Sequence, residues 1–419
     1  MKNILKQKEF PSKKDIILYI VTVFISAVLL FVGHKVAYDK STMFLGGYDD
    51  GACSAVVTKI VEVKTEDITI DGTLAGQDKT VVFECLVKSG ELKGKTVTAI
   101  ETISVYDMVP LDEVKVGSRI LIVENPDKNA EHDYFMHDYN RLAPVWILGL
   151  IFIALILIFG KMKGVNTLIS LSFTCIAVFA VFVPAILSGK NIYLWAIITC
   201  VYIIAMTLTI TNGYSKKTLA AVIGCSSGVI VSGVLTLIFR SYMNLSGITS
   251  EDSIYIKEFN VDLHALIFAG IILGSVGAVM DVSVSISSSL KELHDQIENP
   301  TFFKLVRSGI TIGRDIMGTM ANTLVLAYIG CELGGTLLSV VYSSSLTTLF
   351  SREKIVEELL QALVGSIGIL LTIPLTAVVS SALYMGKKTK HQKKERKKYD
   401  KYYVEPADEP SLFEKKNNE

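Results

Sequence analysis

Apolar runs near the length of a membrane crossing recur eight times in this sequence, and no water-soluble fold could bury them all. A bilayer core about 30 Å thick takes about 20 helical residues. The runs cover residues 16–32, 143–159, 165–187, 192–210, 219–239, 263–285, 315–341 and 359–384. With 50% hydrophobic and only 20% charged residues, the composition agrees with a membrane class. The expected fold is an α-helical polytopic membrane protein of about eight transmembrane helices. A small extracytoplasmic β-rich domain sits between the first two.

The formal net charge of zero hides an asymmetry that sets orientation. Cytoplasmic loops carry the excess of Lys and Arg. Basic residues gather at Lys2, Lys6, Lys8, Lys13 and Lys14, at Lys161 and Lys163, and at Lys216 and Lys217. They recur at Lys291, Lys304, Arg307 and Arg314, and from Lys387 to Lys398. The alternate short loops hold only Lys190, Arg240, Lys257, Arg352 and Lys354. Both termini are therefore expected in the cytoplasm, which an even span count also requires. The first run exceeds a signal-peptide core and lacks a small-x-small cleavage site, so it is read as a retained anchor. Residues 1–34 then form the N-tail and anchor, 35–141 the outer domain, 142–385 a seven-helix membrane domain and 386–419 a basic tail. That tail is expected along the anionic membrane surface or as a solvated anchor that fixes topology.

Residues 35–141 read as strands. Runs 55–63, 80–87, 96–103 and 119–123 are β-branched or aromatic, with turn signals at Asp71-Gly72, Ser89-Gly90 and Val116-Gly117. Val81, Phe83, Cys85 and Val87 alternate with Glu84, Leu86 and Lys88, as a half-buried strand requires. Short, closely spaced strands point to a small OB-like barrel. Cys53 and Cys85 share this domain, where a disulfide is chemically permitted. The segment from Glu131 to Tyr139 reads as an interfacial aromatic belt. His132 and His137 are five apart, which does not favour a helical metal site, and no metal or cofactor is expected.

The sixth and seventh runs carry the chemistry. Gly270, Gly274, Gly277, Asp281, Ser285 and Ser288 are spaced by four and three, forming one helical stripe. The glycines permit close helix packing, and an ionisable residue inside a span needs a partner or water. Asp315, Thr319 and Asn322 share a second stripe. Asp315 either caps the start of the seventh helix or works with Asp281, and Arg314 is a partner for either acid. A loop of about 30 residues between the two acids places both toward the cytoplasm. Glu332 falls inside a later Gly-x-x-x-Gly. In the last run, Pro374 either opens the backbone to solute, as broken helices of transporters do, or merely kinks the helix.

These motifs resemble those of the YibE/F family of bacterial multipass membrane proteins. The resemblance rests on the run from Gly277 through Asp281 to Ser288, on Ser308 through Gly313-Arg314-Asp315 to Asn322, and on Gly365-Ser-Ile-Gly368 and Pro374-Leu-Thr376. Asp138-Tyr139-Asn-Arg141 and Lys163-Gly164 add to it, so it covers about residues 50–384. The chain departs from that pattern at Gln361 and at Cys331-Glu332. The resemblance implies the bacterial cytoplasmic membrane and a permease-like protein of unspecified substrate.

Paired acids, polar seams and close-packing glycines favour a permease or transporter that uses intramembrane carboxylates. The alternative is a non-transporting receptor, immunity or envelope-assembly partner. An enzyme is not expected, because the sequence holds no His-Glu-x-x-His or phosphate-loop motif. The partners implied are membrane lipids, a solute or ion, and a second copy or another protein meeting the outer domain; nucleic acid is not among them. A Ser89→Cys variant in intact cells should react with an impermeant thiol reagent. Labelling only after permeabilisation would reverse the orientation.

Overall fold

A computed structural model describes residues 13–38, 51–70, 73–104, 113–125, 132–248, 251–259, 261–297 and 300–385. Lys2, Lys6, Lys8, Glu131, the Asp71-Gly72 turn and the basic tail from Lys387 to Lys398 lie outside them. The chain divides into two compact units, one of Thr42–Leu168 and one of Met1–Ser41 with Ile169–Glu419.

In the first unit, β1 (Cys53–Ile70), β2 (Thr73–Val87), β3 (Thr96–Ile103), β4 (Arg119–Glu124) and β5 (Tyr134–Tyr139) close a barrel in the order β1-β2-β3-β5-β4. All pairings are antiparallel except β3 with β5. This is the small closed barrel expected, with β5 added to the four strand runs read from the sequence. Val81, Phe83, Cys85 and Val87 fill the interior with Ala55, Val57, Ala99, Ile120 and Ile122. Gly117 makes its turn at φ 89°, a conformation that favours glycine.

The structure bears on two further readings of this unit. Residues 134–139, read as an interfacial belt, form β5, and Tyr134, Met136 and Tyr139 pack on the barrel core. Cys53 and Cys85 are both free thiols. Cys85 lies opposite Val57, four residues along β1 from Cys53, a separation of about 13 Å. That exceeds any disulfide's reach. Burial pushes the Cys85 thiol up to about 11.

Helix α2 (Leu142–Ile176) follows the barrel directly. It belongs to an apolar helical stretch running to Leu187, 46 residues long. As one straight helix this would extend roughly 70 Å, more than twice the hydrocarbon thickness. The stretch breaks at Lys161, whose φ of 49° and ψ of −127° are not helical. A Cβ placed on Gly164 would stand 3.1 Å from the Ile156 carbonyl carbon. Residues eight apart in a straight helix are about 12 Å apart, so the chain turns sharply where the sequence places Gly160-Lys161-Met162-Lys163-Gly164.

The second unit contains α1 (Lys13–Ala37), a π-helical segment (Ala177–Phe182), α3 (Val183–Leu187), α4 (Ile192–Asn212) and α5 (Lys216–Met243). After these come α6 (Glu251–Glu258), α7 (Leu263–Gln296), α8 (Phe302–Cys331), α9 (Leu333–Val341), α10 (Leu346–Phe350) and α11 (Glu353–Met385). Helix α1 is tied into the bundle. His34 Nδ1 lies 2.6 Å from the Ala180 carbonyl, and Ser188 donates to Ala37 O at 2.6 Å. Helix α11 packs against α5, α7 and α8. Among the described residues, six helices are long and apolar enough to cross a membrane, or seven if α8 and α9 are one bent span.

Glu101 in β3 is the buried charge of the barrel, 3% exposed. One carboxylate oxygen accepts the Val114 N–H at 2.9 Å, and the other has no hydrogen-bond partner among the described residues. Burial raises its pKa; the Val114 bond and Lys79 oppose this, while Glu113 adds to it. For an acid whose folded pKa is raised, the stabilising contribution is full below the ordinary glutamate value. It is lost as pH rises through the higher folded value. Glu101→Gln should therefore slow labelling of the core thiol Cys85 at alkaline pH, with the difference closing in acid. Site-resolved mass spectrometry would measure it, and an equal ratio at both pH values would refute it.

Candidate functional site

Hydroxyl groups line the centre of the helical unit, a feature that hydropathy conceals. Ser232 and Thr236 of α5, Ser275, Ser283 and Ser287 of α7, and Thr372, Thr376 and Ser381 of α11 are all fully buried. In hydrocarbon a hydroxyl must find an acceptor. Several donate to the carbonyl one turn back: Thr372 to Gly368 (2.7 Å), Thr236 to Ser232 (2.8 Å) and Ser232 to Gly228 (3.1 Å). Others join helices. Ser283 and Thr376 hydroxyls lie 3.2 Å apart. Ser287 donates to Lys217 O at 2.8 Å, and the Tyr384 hydroxyl donates to Ser287, whose carbonyl is 2.9 Å away.

Glycines make this approach possible. The positions a Cβ would occupy on Gly224, Gly228 and Gly368 are taken by the hydroxyls of Thr376, Thr372 and Ser232 respectively. Helices α5 and α11 therefore interlock, hydroxyl over glycine. The Gly365-Ser-Ile-Gly368 motif signals half of this contact in the sequence. Its partners on α5 carry no signal of their own beyond small residues at Gly224, Gly228 and Ser232.

The seams of α7 and α8 lie in front of this core. The two helices extend further than their apolar runs, with only residues 297–301 between them. A connecting loop of about 30 residues does not exist. Asp315 is not in a first helical turn either, since α8 begins at Phe302, and capping is excluded. Asp281 and Asp315 each stand near the middle of their helices.

Gly270, Gly274, Gly277, Asp281 and Ser285 are exposed along one face of α7, with Ser288 half-buried at its end. Arg314, Asp315, Thr319 and Asn322 are exposed on α8. Thr319 donates to Ile316 O at 2.9 Å. Among the described residues, no hydrogen bond or ion pair engages the side chains of Asp281, Arg314, Asp315 or Asn322, and none joins the two seams. Of the three α7 glycines, Gly274 alone meets α8, lying under the Tyr328 hydroxyl. A Cβ on Gly270 would stand 3.7 Å from Gln361 Nε2, and Gly277 borders open space. Helix α8 is held instead by Gly309 against Ala377 and Leu290, and by Gly313 against Ile373 and Ile286.

A second polar cluster surrounds the break between α8 and α9, where the axis bends by 68°. Glu332 stands at the break and pairs with Lys354 at 3.2 Å. Thr336 donates to Glu358 at 3.1 Å, while Glu353 accepts from the Ser246 and Gly247 amides. Pro374, by contrast, leaves α11 helical throughout. Between α8 and α11 the helical break among the described residues is thus at Glu332, not at Pro374.

The sequence profile described as YibE/F-like protein matches residues 148–386. The chain belongs to the YibE/F-like family. No curated protein and no solved structure matches it. The YibE/F-like region takes in both acids, the hydroxyl core and the break at Glu332. It begins after β5, so the barrel and the Asp138–Arg141 motif lie outside it.

The α5–α11 contact of this YibE/F-like region can be tested by adding volume. Gly228→Val should cost about 1–3 kcal/mol as overpacking, read as lower thermal stability in detergent. Gly277→Val, which meets open space, should leave stability unchanged. Equal stability of the two variants would refute the interlock.

Proposed function

We propose that this YibE/F-like protein is a permease that moves a small solute or ion across the bacterial cytoplasmic membrane. In this reading eight helices cross the bilayer, the stretch from Leu142 to Leu187 counting as two because it breaks at Lys161. Both termini are cytoplasmic and the barrel faces outward. Asp281 and Asp315 carry the coupling charge, and no covalent chemistry is assigned.

The supporting observation is Asp281 itself. It stands near the middle of a helix whose neighbouring positions are Val, Ile and Met, exposed and without an ion-pair partner among the described residues. Facing lipid, an ionised carboxylate there would cost several kcal/mol, about 2.5–3.5 on insertion scales. Water, a cation or a proton removes that cost, and a path for one of these is what a permease provides. Ser285 and Ser288 continue the same face with hydroxyls that can relay a proton or ligate a cation. Asp315, Thr319 and Asn322 extend the polar surface on α8.

The exposed seam also supports a second reading, in which another protein covers it and the chain serves as a receptor, immunity or envelope-assembly partner. The two readings differ in what Asp281→Asn does. The amide keeps shape and most hydrogen bonding while removing the charge. As a permease, the variant should reach normal membrane abundance yet fail to complement a deletion strain, and Asp315→Asn should lose activity to a similar degree. Proteoliposomes with a trapped pH-sensitive dye would report proton movement under an imposed potential. Full complementation by Asp281→Asn would end the charge-carrier assignment.

A further inference from the structure

The outer surface of the barrel carries a cleft that the permease reading does not use. Along β2, β1 and β4 the residues Val87, Ala55 and Ile120 point inward. Their neighbours in the ladders point outward, and Val56 lies opposite Arg119. Lys88 N donates to Ser54 O at 2.7 Å, which ties the end of β2 beside Ser54. The start of α2 folds over this row. Asn140 N donates to Arg119 O at 2.9 Å, and the Asn140 side chain donates to Ser54 Oγ at 3.0 Å. Asn140 Oδ1 also accepts the Leu142 N–H at 3.1 Å and so caps the helix.

The result is a cavity of about 310 Å³ lined by Ser54, Val56, Lys88, Arg119, Asn140 and Ala143. Two of its six lining residues are cations and none is a carboxylate. Neither Lys88 nor Arg119 has an ion pair among the described residues. Asp138, two residues before Asn140, is already bound by Arg141 at 2.7 Å, which holds its carboxyl below the usual range. The cavity therefore presents uncompensated positive charge, a hydroxyl and an amide. The positive end of α2 adds to the same field.

Its position identifies the occupant. Leu142, Val145, Trp146, Ile147 and Leu148 are all exposed in the first turns of α2, which opens a candidate membrane span. The hydrocarbon boundary therefore lies next to Ala143, with Trp146 at the depth where aromatic anchors sit. The cavity falls at headgroup level. Two fixed cations at that level face anionic lipid phosphate at far higher local concentration than any soluble anion. We propose that this cleft binds the phosphate of an anionic lipid headgroup through Lys88 and Arg119, docking the barrel on the bilayer surface.

Hydrogen exchange of the full-length protein in nanodiscs tests this. Adding phosphatidylglycerol to phosphatidylcholine discs should protect amides of β1, β4 and the first turn of α2. Lys88→Gln with Arg119→Gln should weaken the phosphatidylglycerol dependence about 30-fold, because two basic groups are removed from the lipid surface. Both side chains lie outside the barrel, so exchange at Phe83 and Ile120 should stay as in the wild type. Lys88→Arg, which keeps the charge, should retain the protection. Equal protection in phosphatidylcholine alone, or an unchanged response in the double variant, would overturn the proposal. Inorganic phosphate producing the full effect in phosphatidylcholine discs would overturn the lipid assignment.

Discussion

The helical unit depends on how closely α5 and α11 approach. Inside a membrane the hydrophobic effect does not drive helices together, because lipid tails are as apolar as leucine. What remains is dispersion between surfaces that fit, and hydrogen bonds that lipid cannot replace. Gly224, Gly228 and Gly368 let Thr376, Thr372 and Ser232 occupy the space of missing side chains. Each hydroxyl gains contact with the opposing backbone while its proton is satisfied within its own helix or across to α7. Helix α7 is held against this pair by Ser283 and Ser287, and α8 by its glycines at 309 and 313. The buried hydroxyls are thus structural first.

That arrangement decides which polar residues remain for function. Most hydroxyls of the core have hydrogen-bond partners, whereas Asp281, Arg314, Asp315 and Asn322 have no protein partner among the described residues. The two groups lie on different faces of the same helices. On α7, Ser275, Ser283 and Ser287 turn inward while Asp281 and Ser285 turn outward. A helix with both faces polar is unusual for a membrane segment, and only the inward face is explained by packing.

The apolar runs and the period-two alternation are readable because burial imposes them directly on residue type. Residues 134–139 are not, since an aromatic-rich segment next to a span satisfies a headgroup belt and a barrel strand equally well. The ends of α7 and α8 escape for a related reason. Lys291, Glu292, His294 and Asp295 signal the end of an apolar run, but a polar surface does not end a helix. Ser285 and Asp315 look terminal only when hydropathy is taken as the boundary. Stripes of small residues can be drawn on α7, yet a stripe does not name its partner. The glycines that meet opposing helices most closely are largely those of α5, α8 and α11, and that pairing is a property of the assembled bundle.

The broken helix illustrates how composition misleads about strain. Proline at 374 removes one backbone bond, but α11 is held on three sides by α5, α7 and α8, and tertiary packing keeps it helical. Glu332 carries no such intrinsic penalty. It lies between Gly330 and the Gly334-Gly335 pair, where backbone freedom is greatest and the flanking leucines are exposed rather than packed. Its carboxylate finds Lys354 at the start of α11, an ion pair available only because the chain bends there. Local flexibility, a charge seeking a partner and weak packing therefore combine at 332, while strong packing overrules the proline. The same balance of packing against backbone preference accounts for the sharp turn at Lys161, a lysine with exposed apolar neighbours at Phe159 and Met162.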